Sequence, residues 1–141
     1  MILIDSSVLL DIFTIDPVWF EWSSKMVASL ADNEDIAINP LIYAEVSVNF
    51  NSPAELDEAF PRHIFYREPL PFEAVFLAGK AFAMYKKRGG IRTSPLSDFY
   101  IGAHAAVAGF DLLTRDPRRF RQYFPTVKII APESSNQSAD A

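Results

Sequence analysis

The chain reads as an α/β domain with a mainly parallel sheet covered by helices on both faces. Three observations carry that reading. Short apolar runs alternate with longer helical patterns along the whole chain. The first run, Ile2-Leu3-Ile4, is apolar at every position, as a strand buried on both faces must be. The length of 141 residues suits one domain, and half of the residues are apolar, which supports a core and excludes wholesale disorder.

Each element has a local reason. Ile2-Leu3-Ile4 is a strand that ends at Asp5-Ser6-Ser7, where a serine is expected to cap the next helix. Pro17 closes that helix region, and residues 18–31 form a second helix. Residues 35–39 (Asp-Ile-Ala-Ile-Asn) form a second strand, and Pro40 suits the first position of a helix. Ser52-Pro53-Ala54-Glu55 is a capping box, so 53–60 is helical. Ile64-Phe65-Tyr66 is a short strand. Residues 72–88 form a long helix stopped by Gly89-Gly90. Ser97 is expected to cap a helix over 98–108, with Gly109 as its stop. Leu112-Leu113-Thr114 and Val127-Lys128-Ile129-Ile130 are the last strands. One domain is expected over 1–132, followed by a polar, frayed tail over 133–141.

Composition removes several classes of function. Cysteine is absent, which excludes a disulfide scaffold and thiolate metal sites, and two histidines are too few for a His-rich zinc centre. No apolar run approaches the roughly 20 residues of a membrane helix. The N-terminus lacks the basic start and cleavage site of a signal peptide, so a cytoplasmic location is expected. The net charge of −5 hides an asymmetry: residues 1–75 hold 13 acids and 3 bases, whereas residues 76–141 hold 5 acids and 10 bases. Eight of those bases form two clusters, Lys86, Lys87, Arg88, Arg92 and Arg115, Arg118, Arg119, Arg121. A local basic face of this kind can hold phosphates. The first cluster is equally well read as the charged end of a helix. The second adjoins a candidate acid.

In parallel sheets ligands bind beyond the carboxyl ends of the strands, near a reversal of strand order. Four acids are placed for such a site. Asp5 ends the first strand. Glu45, at about 100° per residue, falls between Leu41, Ile42 and Val48 and so points inward, with no basic partner nearby in sequence. Asp98 opens an apolar and therefore central helix. Asp116 follows the fourth strand. Each alone has an ordinary reading as a cap, a first-turn acid or a turn former. Together they can converge on one sheet edge, where mutual repulsion calls for a hard divalent cation with oxygen ligands, Mg²⁺ or Mn²⁺. Such a site suits phosphodiester hydrolysis by metal-activated water. Ser6, Ser7 and Thr114 supply hydroxyls beside the acids.

Four segments then carry a resemblance: Ile4-Asp5-Ser6-Ser7; Pro40-Leu41-Ile42-Tyr43-Ala44-Glu45; Pro95-Leu96-Ser97-Asp98-Phe99-Tyr100-Ile101-Gly102-Ala103-His104-Ala105; and Leu112-Leu113-Thr114-Arg115-Asp116-Pro117-Arg118-Arg119-Phe120. In order and spacing, over about residues 1–132, the chain resembles the PIN-domain ribonucleases, in particular VapC-type toxins of toxin–antitoxin pairs. The resemblance implies a three-layer α/β/α fold with a central sheet of four or five strands. It implies metal-dependent RNA cleavage at Asp5, Glu45, Asp98 and Asp116, which would hold Mg²⁺ or Mn²⁺, with Ser6 and Thr114 as supporting hydroxyls. It also implies a cognate antitoxin partner and an RNA substrate such as tRNA or rRNA, and a homodimer is a candidate assembly. Arg92, Arg115, Arg118 and Arg119 are candidate RNA contacts. Ser7 stands where asparagine is common in the family. By analogy, the helices over 18–31 and 53–60 would form the groove for an antitoxin helix.

Rival readings fare less well. A haloacid-dehalogenase phosphatase needs a second Asp where Ser7 stands, and a receiver domain needs paired acids near the first strand. A non-catalytic binding module, and a PIN nuclease outside a toxin–antitoxin pair, are the alternatives. His104 lies about 240° from Asp98 around their helix and is read as packed. His63 has no nameable partner. Trp19, Phe20 and Trp22 read as core or interface, and Phe76, Phe82 and Tyr85 as core.

Overall fold

The computed structural model describes residues 1–92 and 96–132. Pro95 and the tail over 133–141 lie outside the described residues. The elements are β1 (Ile2–Ile4), α1 (Ser6–Phe13), α2 (Phe20–Asn33), β2 (Ile36–Ile38), α3 (Pro40–Ser47), α4 (Pro53–Ala59), β3 (Phe65–Arg67), α5 (Phe72–Lys87), α6 (Ser97–Ala108), β4 (Asp111–Leu113), α7 (Arg118–Tyr123) and β5 (Ile129–Ile130).

All four strand pairings are parallel, and the sheet order is β3-β2-β1-β4-β5. Central β1 sets Ile2 against Ile36 on one side and Asp111 on the other. Parallel pairing obliges every connection to cross a face of the sheet, and right-handed crossovers that step outward from β1 in opposite directions place their helices on opposite faces. The result is an α/β/α sandwich. On one side α1 packs on α2 and α3; on the other, α6 packs on α5 and α7. The core is the sheet with the inner helix faces. Ile2, Leu3, Ile4, Ile36, Ile38, Leu112 and Leu113 are at most 1% exposed. Burial of each such side chain contributes about 1.5–3 kcal/mol.

Several turns act as their residue types require. Asn39 caps α3 by accepting the Ile42 N–H at 3.0 Å, with Pro40 at the first helical position. The Ser52 hydroxyl caps α4 through the Glu55 N–H, and the Glu55 carboxylate reaches back to the Asn51 N–H rather than to Ser52. Gly109 ends α6 in the left-handed region at φ 72°. Gly102 meets a different demand. A Cβ there would stand 2.3 Å from the Phe124 ring, so α7 and its following turn seat on α6 only because that side chain is absent.

Three expectations are corrected. No serine caps α1 or α6: the cap positions are Asp5 and Leu96, neither with a side-chain cap bond. Phe76 is 69% exposed, because α5 buries a narrow face of Ala74, Ala78 and Ala81 against its neighbour. Phe82 and Tyr85 do pack on the core. Helix α7 was not expected, since three of its six residues are arginine and it presents only Phe120 as a buried apolar residue.

Candidate active site at the strand-order reversal

The order β3-β2-β1-β4-β5 reverses between β1 and β4, and the carboxyl ends of those two strands deliver Asp5 and Thr114. The Asp5 N–H donates to the Leu113 carbonyl at 2.9 Å, which locks the two strand ends together. Asp5 is 4% exposed and Thr114 fully buried. Both the Ser7 and Thr114 hydroxyls donate to Asp5 Oδ2, at 2.7 and 2.8 Å. Among the described residues Asp5 Oδ1 is buried without a hydrogen-bond partner. A buried lone carboxylate oxygen is costly, and a cap aspartate would normally use it on the helix N–H groups. Burial first, then the negative charges of Asp98 and Glu45, push the Asp5 carboxyl up to about 6, although the two hydroxyls oppose the shift.

Glu45 reaches the same edge from α3. It is half-buried, flanked by buried Ile42 and Val46. Val48, expected on the inner side, lies past the helix end and is exposed. The Glu45 partners are hydroxyls: Ser6 Oγ donates to Oε1 at 2.9 Å and Ser97 Oγ to Oε2 at 3.1 Å. The serines at the starts of α1 and α6 therefore orient carboxylates instead of capping. Asp98 sits in the first turn of α6, where the helix dipole favours an anion. Arg119 donates to Asp98 Oδ2 at 3.1 Å. Burial is the main cause that raises the Asp98 carboxyl, Arg119 lowers it, and Asp116 raises it further. Asp116 is exposed, and its N–H donates to Thr114 Oγ1 at 3.1 Å.

The basic candidates divide. Arg119 lies beside Asp98. Arg115 turns away: its Nε donates to Asp11 at 2.8 Å and its guanidinium lies 5.6 Å from the centroid of the Trp19 ring. Arg92 and Arg118 are exposed. Asp11 escaped sequence reasoning. It is 2% exposed, accepts from Ser23 and Arg115 through one oxygen, and ties α1, α2 and the loop after β4 together. Its signal was an acid on the apolar side of α1, four residues after Ser7. Ser97 gained its contact with Glu45, 52 residues away in sequence, only through tertiary folding, whereas Ser7 reaches Asp5 locally.

His104 is buried beside Asn39, whose Nδ2 lies 3.1 Å from His104 Nδ1. Since the Asn39 carbonyl oxygen already accepts from Ile42, the amide donates and Nδ1 accepts, leaving the ring proton on Nε2. Burial lowers the His104 pKa, consistent with a neutral packed ring. A cavity of about 340 Å³ lies off the ends of β2 and β3, lined by Asn39, Tyr43, Arg67 and Glu68, and none of the four acids lines it.

The donor set is all oxygen, as Mg²⁺ and Mn²⁺ prefer, and the unpartnered Asp5 Oδ1 is available to a cation. Among the described residues no three Asp, Glu, His or Cys side chains are yet drawn together as an enclosing cage. Serines hold Glu45, and Arg119 holds Asp98. The groups fit a divalent cation in donor chemistry, with the Arg119 guanidinium as the resident counter-charge on Asp98.

The PIN domain family model matches residues 2–124. Solved structures share the fold. A toxin–antitoxin complex from Klebsiella pneumoniae is 18% identical with a TM-score of 0.65, covering 95% of this chain and 99% of that one. VapBC2 of Rickettsia felis, bound to a promoter DNA fragment, is 18% identical with a TM-score of 0.67 and coverages of 93% and 98%. Mycobacterium tuberculosis VapC20, a Sarcin-Ricin loop cleaving toxin, is 12% identical with a TM-score of 0.53 and coverages of 99% and 95%. A comparison with curated proteins found no match. Among the described residues no helix is long and apolar enough to cross a membrane. With its five-stranded parallel sheet and the family model spanning residues 2–124, the chain belongs to the PIN domain family.

Proposed function

We propose that this chain is a divalent-metal-dependent endoribonuclease and the toxin of a toxin–antitoxin pair. The observation that carries the reading is Asp5: buried at the strand-order reversal, in the field of Asp98 and Glu45, with one oxygen lacking a hydrogen-bond partner among the described residues. Asp5, Glu45 and Asp98 would hold Mg²⁺ or Mn²⁺, with Asp116 at the exposed rim. The bound ion would neutralise the phosphodiester and activate a water. Ser7 and Thr114 fix the Asp5 carboxylate, and Ser6 and Ser97 fix Glu45, so these acids are oriented before substrate arrives. Arg119 neutralises Asp98 and would be positioned to take a phosphate oxygen if Asp98 held a cation.

The toxin–antitoxin fold likenesses support an inhibitory protein partner, and the likeness to a Sarcin-Ricin loop cleaving toxin supports cleavage chemistry; an RNA substrate such as tRNA or rRNA, met in the cytoplasm, is part of the proposal. The Arg119–Asp98 pair also suits a second reading, a non-catalytic RNA-binding module whose acids are neutralised internally. Cleavage decides. Purified protein incubated with total RNA is expected to yield discrete fragments with Mn²⁺ and none with EDTA. Asp98→Asn is expected to lose at least ~100-fold in rate while melting as a folded protein. Identical products with and without metal, or full activity in the variant, overturn the proposal.

A further inference from the structure

Helix α5 ends in Lys86 and Lys87, followed by Arg88, and Gly89 at φ 89° turns the chain. Gly90 then lies on Tyr85, where a Cβ would stand 2.2 Å from the ring, so the turn is pinned to the helix it ends. Opposite this turn stands α7. Between them is a cavity of about 260 Å³, lined by Tyr85, Arg88, Gly90, Arg119, Gln122 and Tyr123. It adjoins the acids, because Arg119 lines it and also contacts Asp98 at 3.1 Å.

The lining is made for an anion with polar attachments. Arg88 lies 5.3 Å from the centroid of the Tyr123 ring, and among the described residues it has no carboxylate partner. Among the described residues the Gln122 amide and the Tyr85 and Tyr123 hydroxyls make no hydrogen bond within the protein, so a ligand can use them. The size is below the roughly 300–1,000 Å³ of pockets that enclose a drug-sized ligand, and suits one unit of a longer chain. A polyanion approaching four carboxylates also needs positive charge close by, and these two guanidiniums provide it.

Resting on the nuclease reading, we propose that this cavity is the subsite for the nucleotide next to the scissile bond of single-stranded RNA. Arg88 and Arg119 take its phosphate, and Gln122 and the tyrosine hydroxyls take its ribose and base edge. Arg88 is thus a substrate-binding residue outside the acid cluster.

The test separates binding from chemistry. Affinity for a short labelled single-stranded RNA is measured by fluorescence anisotropy in EDTA across a salt series, for the wild type, Arg88→Met and Arg88→Lys. Arg88→Met is expected to bind about tenfold more weakly at low salt, with a log–log salt slope shallower by about 0.7. Arg88→Lys keeps the slope, which a purely structural guanidinium–tyrosine contact would not predict. Mn²⁺-dependent hydrolysis of bis(para-nitrophenyl) phosphate, which has no flanking nucleotide, is expected to be unchanged in Arg88→Met. Unchanged RNA affinity and slope in Arg88→Met, or equal loss on RNA and the small diester, overturns the subsite. A wild type that binds RNA with the expected Arg88 dependence but hydrolyses neither substrate refutes the nuclease reading and leaves the binding site standing.

Discussion

Replacing Asp5 by asparagine should make the metal-free protein more stable, and the gain should depend on pH in one direction. The Asp5 carboxyl is raised from 3.8 to about 6 in the folded chain by burial, then by Asp98 and Glu45. Between those values the folded protein holds a proton that the unfolded chain has released. Stability of the wild type therefore falls as pH rises through this window, and the whole penalty is present above pH 6. The shift of about two pH units corresponds to about 3 kcal/mol. Asparagine keeps a carbonyl oxygen for the Ser7 and Thr114 hydroxyls but carries no charge. At about two to four degrees per kcal/mol for a chain of this size, Asp5→Asn should melt roughly 10 °C higher at pH 7.5 in EDTA. The difference should close below about pH 3, under both the unfolded value of 3.8 and the folded one, where the wild-type carboxyl is protonated in both states. Thermal unfolding followed by circular dichroism at the two pH values is sufficient. A variant equal to or less stable than the wild type at pH 7.5 refutes the claim that Asp5 is a charge held at a folding cost.

Other perturbations test the scaffold. Gly102→Ala drives a methyl group into the Phe124 ring and should cost about 1–3 kcal/mol in urea unfolding, with α7 loosened; wild-type stability would contradict the close α6–α7 seat. Asp11→Ala strips Arg115 and Ser23 of their shared acceptor. Because Arg115 is one-third exposed, the loss should be about 2 kcal/mol, less than for a fully buried pair, and an unchanged melting temperature would show that Asp11 does not tie these elements.

The sheet was legible because its strands are short apolar runs bounded by acids, prolines and asparagine. Ile2–Ile4 followed by Asp5 and Ile36–Ile38 followed by Asn39-Pro40 announce both a strand end and a helix start. Asp5, Glu45 and Asp98 were expected at one edge, and the structure brings the charges of Asp98 and Glu45 to bear on Asp5 there, while their role as a site is proposed. What escaped was side-chain choice between competing partners. Ser7 and Ser97 stand where a cap is expected, yet their hydroxyls serve carboxylates 2 and 52 residues away in sequence, because a buried or half-buried carboxylate outcompetes helix N–H groups that other contacts can satisfy. Arg115 and Arg119, four residues apart, read alike in sequence. Asp11 draws one inward and Asp98 holds the other at the site. Phe76 misled for a related reason: periodicity locates an apolar stripe on α5, but the alanines at 74, 78 and 81 allow close packing and leave the neighbouring phenylalanine outside.

Calorimetric titration of the purified wild type with Mn²⁺ at pH 7.5, beside Asp5→Asn and Asp98→Asn, most directly probes whether these carboxylates constitute a cation site. The wild type should bind Mn²⁺ saturably, and both variants should lose at least ~10-fold in affinity. Absent binding in the wild type, or equal binding in all three proteins, would contradict the assignment.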